Sequence, residues 1–281
     1  MKPKWCIEDS FAEDMTPLLE AVKRQGFAYV LVPAFDADKC LAAFPGEDCV
    51  IFCGCLNSAQ YLRRKAKWIP GVYYNVKQYE CVNYYGLLGK YLFNGNYIIL
   101  PYGDLLRQKE FLYEKVGADR TVFIRPSRGD KTFTGGLVFK EHFDQRVERM
   151  AFGQMGHAEL VVVAEPRNIQ FEWRFVIVDG KVITGSQYKE GYTVASHASY
   201  PTGAFDLAAK VATVFNPEPV WVCDVCQTVS DDYKVMEVGC FSCAGLYQCD
   251  RDKIVEAVSA AALREWESYR DPSITEEIRP S

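Results

Sequence analysis

Short apolar runs alternate along the chain with stretches whose apolar residues recur at helical spacing. "GFAYVLVPAF" (26–35) and "DCVIFCGC" (48–55) have strand length and composition, and residues 15–25 and 58–65 carry helical periodicity. This alternation predicts a small α/β unit in the first ~70 residues. Farther along, "VKQYECVNYYGLLGKYLF" (76–93) has helical spacing and "YIILP" (97–101) is strand-like. "GDLLRQKEFLYEKVG" (103–117) predicts a helix closed by Gly117 as its C-terminal cap.

Residues 122–139, "VFIRPSRGDKTFTGGLVF", read as strand, loop and strand. A helix over 140–152 and a strand over 158–166, stopped by Pro166, follow. In "FEWRFVIVDGKVITGSQY" (171–188), Asp179-Gly180 is the two-residue type I′ turn of a hairpin. A helix over 204–215 precedes two strands, 219–229 and 233–242, joined by "SDD". A helix over 252–271 and a polar tail end the chain. From about residue 95 the pattern is α+β, with antiparallel hairpins replacing strict β–α–β order.

Composition narrows the class. The 281 residues are 49% hydrophobic, enough for a full core, and the formal charge of −5 argues against bulk nucleic-acid binding. No run is long and apolar enough to span a membrane and the N-terminus lacks an apolar signal region, so a cytoplasmic protein is expected. The eleven cysteines then read as reduced, mostly buried thiols.

Candidate chemistry concentrates in the second half. The 122–139 loop brings Arg125, Lys131, Thr132, Thr134 and three glycines together, cations, hydroxyls and open backbone suited to a polyphosphate. It lacks the Walker A order, and its composition equally suits a solvated hairpin loop. Asp224 and Glu237 each sit mid-strand among apolar residues. On adjacent antiparallel strands they can share a Mg²⁺, or one or both can point to solvent. The strand ending at Glu165-Pro166 offers backbone groups for an adenine edge. Glu172 and Arg174, two apart, share a strand face, either as a phosphate-binding site or as a surface ion pair.

Cys223-x₂-Cys226 and Cys240-x₂-Cys243 resemble zinc-ribbon spacing, but "VWVCDVCQTV" reads as continuous strand, which places Cys223 and Cys226 on opposite faces. No Ser or Cys lies in a nucleophile-elbow context, so a His-based triad is not expected.

The order "FIRPSRGDKTFTGG", "VVVAEP", "EWRFVIVDGKVITGSQY", "VCDV", "MEVGCFSCAGLY" resembles the ATP-grasp fold, specifically its R2K clade, over residues 95–270. The same clade includes a eukaryotic cell-division-cycle protein that assists assembly of a translation initiation factor. The resemblance implies two α+β subdomains gripping ATP (71–271), a preceding small α/β domain (1–70) and a polar tail (272–281). It implies ATP and Mg²⁺ as cofactors and a carboxylate–amine ligase acting through an acylphosphate on an amino acid, peptide or protein. By motif, Arg125, Lys131 and Thr132 hold phosphates, Glu165 lies at the adenine hinge and Arg174 contacts the γ-phosphate or acylphosphate. Ser186 and Tyr188 lie near the acceptor, whose choice falls to loops such as 189–203. Asp224 and Glu237 ligate the metal. One departure stands out: many ATP-grasp proteins have Glu-x-Asn at the last metal strand, and here the sequence is Glu237-Val238-Gly239. The alternative it opens is an ATP-binding assembly protein with little or no turnover.

Overall fold

The computed structural model describes residues 2–10, 12–129, 132–151 and 155–271. Lys131 and the tail 272–281 lie outside the described residues. The N-terminal part builds a parallel sheet from β1 (Lys4–Asp9), β2 (Ala28–Pro33), β3 (Cys49–Cys53) and β4 (Ile69–Gly71), in the order β2-β1-β3-β4. The helices α1 (Ala12–Arg24), α2 (Ala37–Ala43) and α3 (Leu56–Lys65) alternate with these strands. All of "CVIFC" in β3 is buried, as expected of a parallel strand covered on both faces. Sequence periodicity does not announce β1, although it is an inner strand. Its apolar run is only Trp5-Cys6-Ile7, framed by charges, and Glu8 is buried with it.

After α4 (Cys81–Leu88) comes an antiparallel sheet of β5 (Tyr97–Pro101), β6 (Thr121–Pro126), β7 (Gly136–Phe139) and β8 (Leu160–Ala164), ordered β5-β8-β6-β7. The helices α5 (Lys109–Val116) and α6 (Phe143–Ala151) belong to it; Leu112, Val122, Ile124, Phe143 and Val163 share its core. The helix expected over 103–117 is thus shorter. Gly117 does end it, but at φ −80, not in the left-handed cap conformation. Glycine is required there because a Cβ would lie 2.4 Å from the Tyr113 carbonyl oxygen.

The third sheet is antiparallel: β9 (Ile169–Val178), β10 (Lys181–Glu190), β11 (Thr193–His197), β12 (Val220–Thr228) and β13 (Tyr233–Cys240), ordered β11-β10-β9-β12-β13. The β9–β10 turn has Asp179 at φ 48 and Gly180 at φ 73, both positive as a type I′ turn demands. The segment 189–203, read from sequence as loop, contributes edge strand β11, and α7 (Thr202–Val214) follows it.

Trp173, Phe175, Trp221, Cys223 and Val225 cluster with Ala204, Ala208 and Val211 of α7 and with Tyr84 and Leu88 of α4. On the opposite face Val176, Val178, Val220 and Val222 share a core with the final helix α8 (Arg251–Arg270) and with Trp5, Ile7, Leu18 and Ile51. Trp5 Nε1 donates to Ser259 Oγ at 3.1 Å, so the first strand and the last helix close one core.

Candidate active site

Beyond Val176 and Val222, that second face turns from apolar to charged. Strand register places Ser186 of β10 beside Arg174 of β9, Arg174 beside Asp224 of β12, and Asp224 beside Glu237 of β13. Four residues separated by up to 63 positions in sequence therefore form one row across the sheet.

Arg174 holds Asp224 through two parallel bonds, Nε to Oδ1 at 2.8 Å and Nη2 to Oδ2 at 2.7 Å. Its Nη1 donates to the Gly245 carbonyl at 3.0 Å. The Tyr188 and Tyr247 rings stack at 4.9 Å and 12°, with the guanidinium carbon 5.7 and 5.3 Å from their centroids. Burial opposes charge on Arg174, and Asp224 outweighs it, so the guanidinium pKa rises above its usual value. Burial also pushes the Asp224 carboxyl up, against the pull of Arg174.

Next along β9, Glu172 accepts from Tyr188 Oη at 2.6 Å and Lys189 Nζ at 2.7 Å, so its carboxylate is held within the sheet by β10. The Tyr188 hydroxyl is pushed well up by burial and by Asp224 and Glu172, which keeps it a donor.

Arg125, on β6, reaches from the other sheet. Its Nη2 donates to Glu237 Oε2 at 3.1 Å, and its side chain is 14% exposed against 39% for Glu237. Burial works against its charge, and Tyr84, Glu237, Cys81 and Tyr85 outweigh it, leaving Arg125 cationic.

The structure thus brings Arg125, Arg174, Ser186, Tyr188, Asp224 and Glu237 together. Ser186 is fully buried; its hydroxyl donates to the His197 carbonyl at 3.0 Å and accepts from Gln248 N–H at 3.1 Å, tying β10 to the segment after β13. Glu165, just past β8, stands apart from the row: its carboxylate accepts from Arg167 at 3.3 Å and its N–H donates to the Asn96 carbonyl. Thr132 lies on the β6–β7 loop. Two residues join the site without having been assigned to it from sequence. Lys189 was hinted at by a carboxylate inside a strand, which needs a cation nearby. Tyr247, at φ 50, gave no local signal for its left-handed backbone.

The donor set suits a nucleotide with a divalent cation. The two carboxylates lie side by side and each is paired with an arginine, Asp224 with Arg174 and Glu237 with Arg125, so phosphates and a hard cation could exchange into the row without leaving net buried charge. Thr132 Oγ1 and Ser127 Oγ are buried atoms with no hydrogen-bond partner among the described residues, each a hydroxyl open to a ligand. No group of three or more His, Cys, Asp or Glu able to hold a metal occurs among the described residues. Asp224 and Glu237 form a two-carboxylate set, the number Mg²⁺ commonly takes from protein when phosphates complete its shell. Among the described residues no helix is long and apolar enough to cross a membrane.

Comparison with solved structures gives the same architecture over nearly the whole chain. D-cycloserine synthetase DcsG aligns with a TM-score of 0.65 at 14% identity, over 93% of this chain and 99% of that one. The D-alanine–D-alanine ligase of Bacillus anthracis gives 0.59 at 11% identity, over 95% and 99%. The ATP-grasp ligase PsnB, bound to a minimal precursor, gives 0.60 at 12% identity, over 93% and 99%. No curated protein matches the sequence. Residues 99–258 match the ATP-grasp domain, R2K clade family 3, a span that holds every side chain of the row, and the chain belongs to that family.

Proposed function

We propose that the protein is an ATP- and Mg²⁺-dependent carboxylate–amine ligase that works through an acylphosphate, with an amino acid, peptide or protein as substrate. The observation that carries this reading is the pair of linked ion pairs, Arg125–Glu237 between the two sheets and Arg174–Asp224 within one. In-line attack of a carboxylate on a γ-phosphate needs cations on the transferring group and anions on the metal, close together and shielded from water. Bound Mg²⁺ would supply charge neutralisation at the phosphates, held by Asp224 and Glu237. Arg125 and Lys131 would fix the phosphate chain and Thr132 would donate to it, with Glu165 at the adenine edge. Arg174, set against the stacked Tyr188–Tyr247 pair, would meet the developing charge. Tyr188 would border the acceptor.

Residues 1–70 are assigned to a preceding domain and 71–271 to the grasp. A peptide acceptor draws support from the PsnB structures, one of which contains a precursor peptide and AMPPNP. The test is ADP release and product mass with a panel of acids and amines. Lys131→Ala and Glu237→Ala should each lose ATP-dependent product while keeping the wild-type fold. Wild-type turnover in both variants overturns the assignment.

A second reading, a nucleotide-binding assembly protein with little turnover, is favoured by Gly239. A Cβ there would meet only Val222 Cγ2, at 3.6 Å, so packing does not exclude the asparagine many relatives carry. Mg²⁺-dependent stabilisation by a non-hydrolysable ATP analogue, without ADP release from ATP on any acid–amine pair, would favour it. Ligand at 100 times its Kd should add about 2.7 kcal/mol.

A further inference from the structure

Nine of the eleven cysteines are buried; the two that keep partial exposure, Cys240 and Cys243, face each other with their sulfurs 3.1 Å apart. We infer that Cys240 and Cys243 are a redox-active dithiol, a covalent modification site that exchange with a low-molecular-weight disulfide closes into an intramolecular disulfide. The geometry supplies both requirements of exchange, access for the incoming disulfide and a second thiol within reach of the first.

The pair also sits where closure has consequences. Cys240 ends β13, three residues after Glu237, and Cys243 lies in the segment that leads to α8. Within that segment, the Ser242 carbonyl accepts from Gly54 N–H at 2.8 Å and its hydroxyl accepts from Tyr73 N–H at 3.0 Å. The Gly245 carbonyl receives Arg174, Tyr247 stacks on Tyr188, and Gln248 N–H donates to Ser186. A staple across residues 240–243 would hold the start of the segment that carries these contacts.

With oxidised glutathione the reaction balances as two exchanges. The Cys243 thiolate attacks the glutathione disulfide, releasing one glutathione thiolate and leaving a mixed disulfide on Cys243. Cys240 loses its proton to solvent and attacks the Cys243 sulfur, releasing the second glutathione. Two electrons pass from the protein thiols to glutathione. Cys240 is the resolving partner in this order, because its hydrogen bond with Cys243 and its burial keep it protonated. Cys53, near Cys243, is fully buried among apolar residues, and that burial pushes its thiol up, out of the reactive range.

The full chain would be incubated with oxidised glutathione, alkylated under native conditions and mapped by mass spectrometry, with hydrogen exchange on the same samples. The expected product has lost two hydrogens, carries a Cys240–Cys243 bond and exchanges more slowly over residues 241–249. Cys240→Ser should stop at a stable glutathione adduct on Cys243. The inference is overturned by a bond to any other cysteine, by failure to oxidise at excess disulfide while an unfolded control oxidises, or by unchanged exchange over 241–249.

Discussion

Arg174 and Asp224 allow the sharpest test of what holds the site together. Their side chains are 13% and 3% exposed, and two bonds of 2.7–2.8 Å join them. Replacing only one, as Arg174→Met or Asp224→Leu, strands the other charge inside the sheet, at a cost of about 3–5 kcal/mol. Replacing both removes the two charges together. What remains is the loss of the Gly245 contact and of the cation–π contacts with Tyr188 and Tyr247, about 1–2 kcal/mol. With an unfolding entropy of about 2.1 cal/mol/K per residue over 281 residues, each single variant should lose about 5–8 °C in Tm and the double about 2–3 °C. Thermal unfolding followed by tryptophan fluorescence reads this directly, since Trp173 adjoins Arg174. The double variant should also fold without any nucleotide-dependent rise in Tm. A double variant that loses as much as the two singles added would refute the reasoning, because the charges would then not be coupled.

Three further outcomes follow from other positions. Gly239→Asn should change stability by less than about 1 kcal/mol, because its Cβ has room, and should lower the half-saturating Mg²⁺ for nucleotide binding about tenfold; titration by thermal shift checks both. Glu265, which accepts from Tyr73 Oη at 2.6 Å, is pushed up to about 7 by burial from the ordinary 4.5, so between those pH values the folded chain keeps a proton the unfolded chain has released. Stability should therefore fall as pH rises from about 4.5 through 7, and Glu265→Gln should flatten that part of the Tm–pH curve; an unchanged slope in the variant excludes Glu265 as its source. At Gly54→Ala the new Cβ would stand 2.5 Å from Glu8 Cβ and displace the carboxylate that accepts from Cys55 N–H and Ser58 Oγ, costing about 1–3 kcal/mol in urea unfolding. Wild-type stability there would show that the α3 entrance yields without loss.

What could be read from sequence was what repeats or alternates. The hairpin at Asp179-Gly180, the antiparallel β12–β13 pair and the helix closing the chain all carry a local period or a turn signal, and each occurs. Alternation alone put Asp224 on one face of β12 and Cys223 on the other, and the structure keeps both placements. Elements without a local signal were silent: β1, whose apolar run is three residues; β4, only three residues long; and β11, a polar edge strand. In the site, the residue types were legible but their partners were not. A strand pattern says Arg174 and Glu172 share a face; only register says that Asp224 takes the arginine and Lys189 the glutamate. The link between Arg125 and Glu237 depends on how two sheets meet, which no single-strand pattern encodes.

The shared core of the first strand and last helix bears on how the chain is made. Trp5, Ile7 and Ile51 leave the ribosome long before Ile254, Val258 and Trp266, the residues they are buried with. At about 5–20 residues per second, the parallel sheet waits roughly 10–40 s for its cover. During that interval its apolar face is exposed, and the nascent chain is a natural client for a holding chaperone. A ribosome stalled before residue 251 would release a product whose earliest folded part is its least protected.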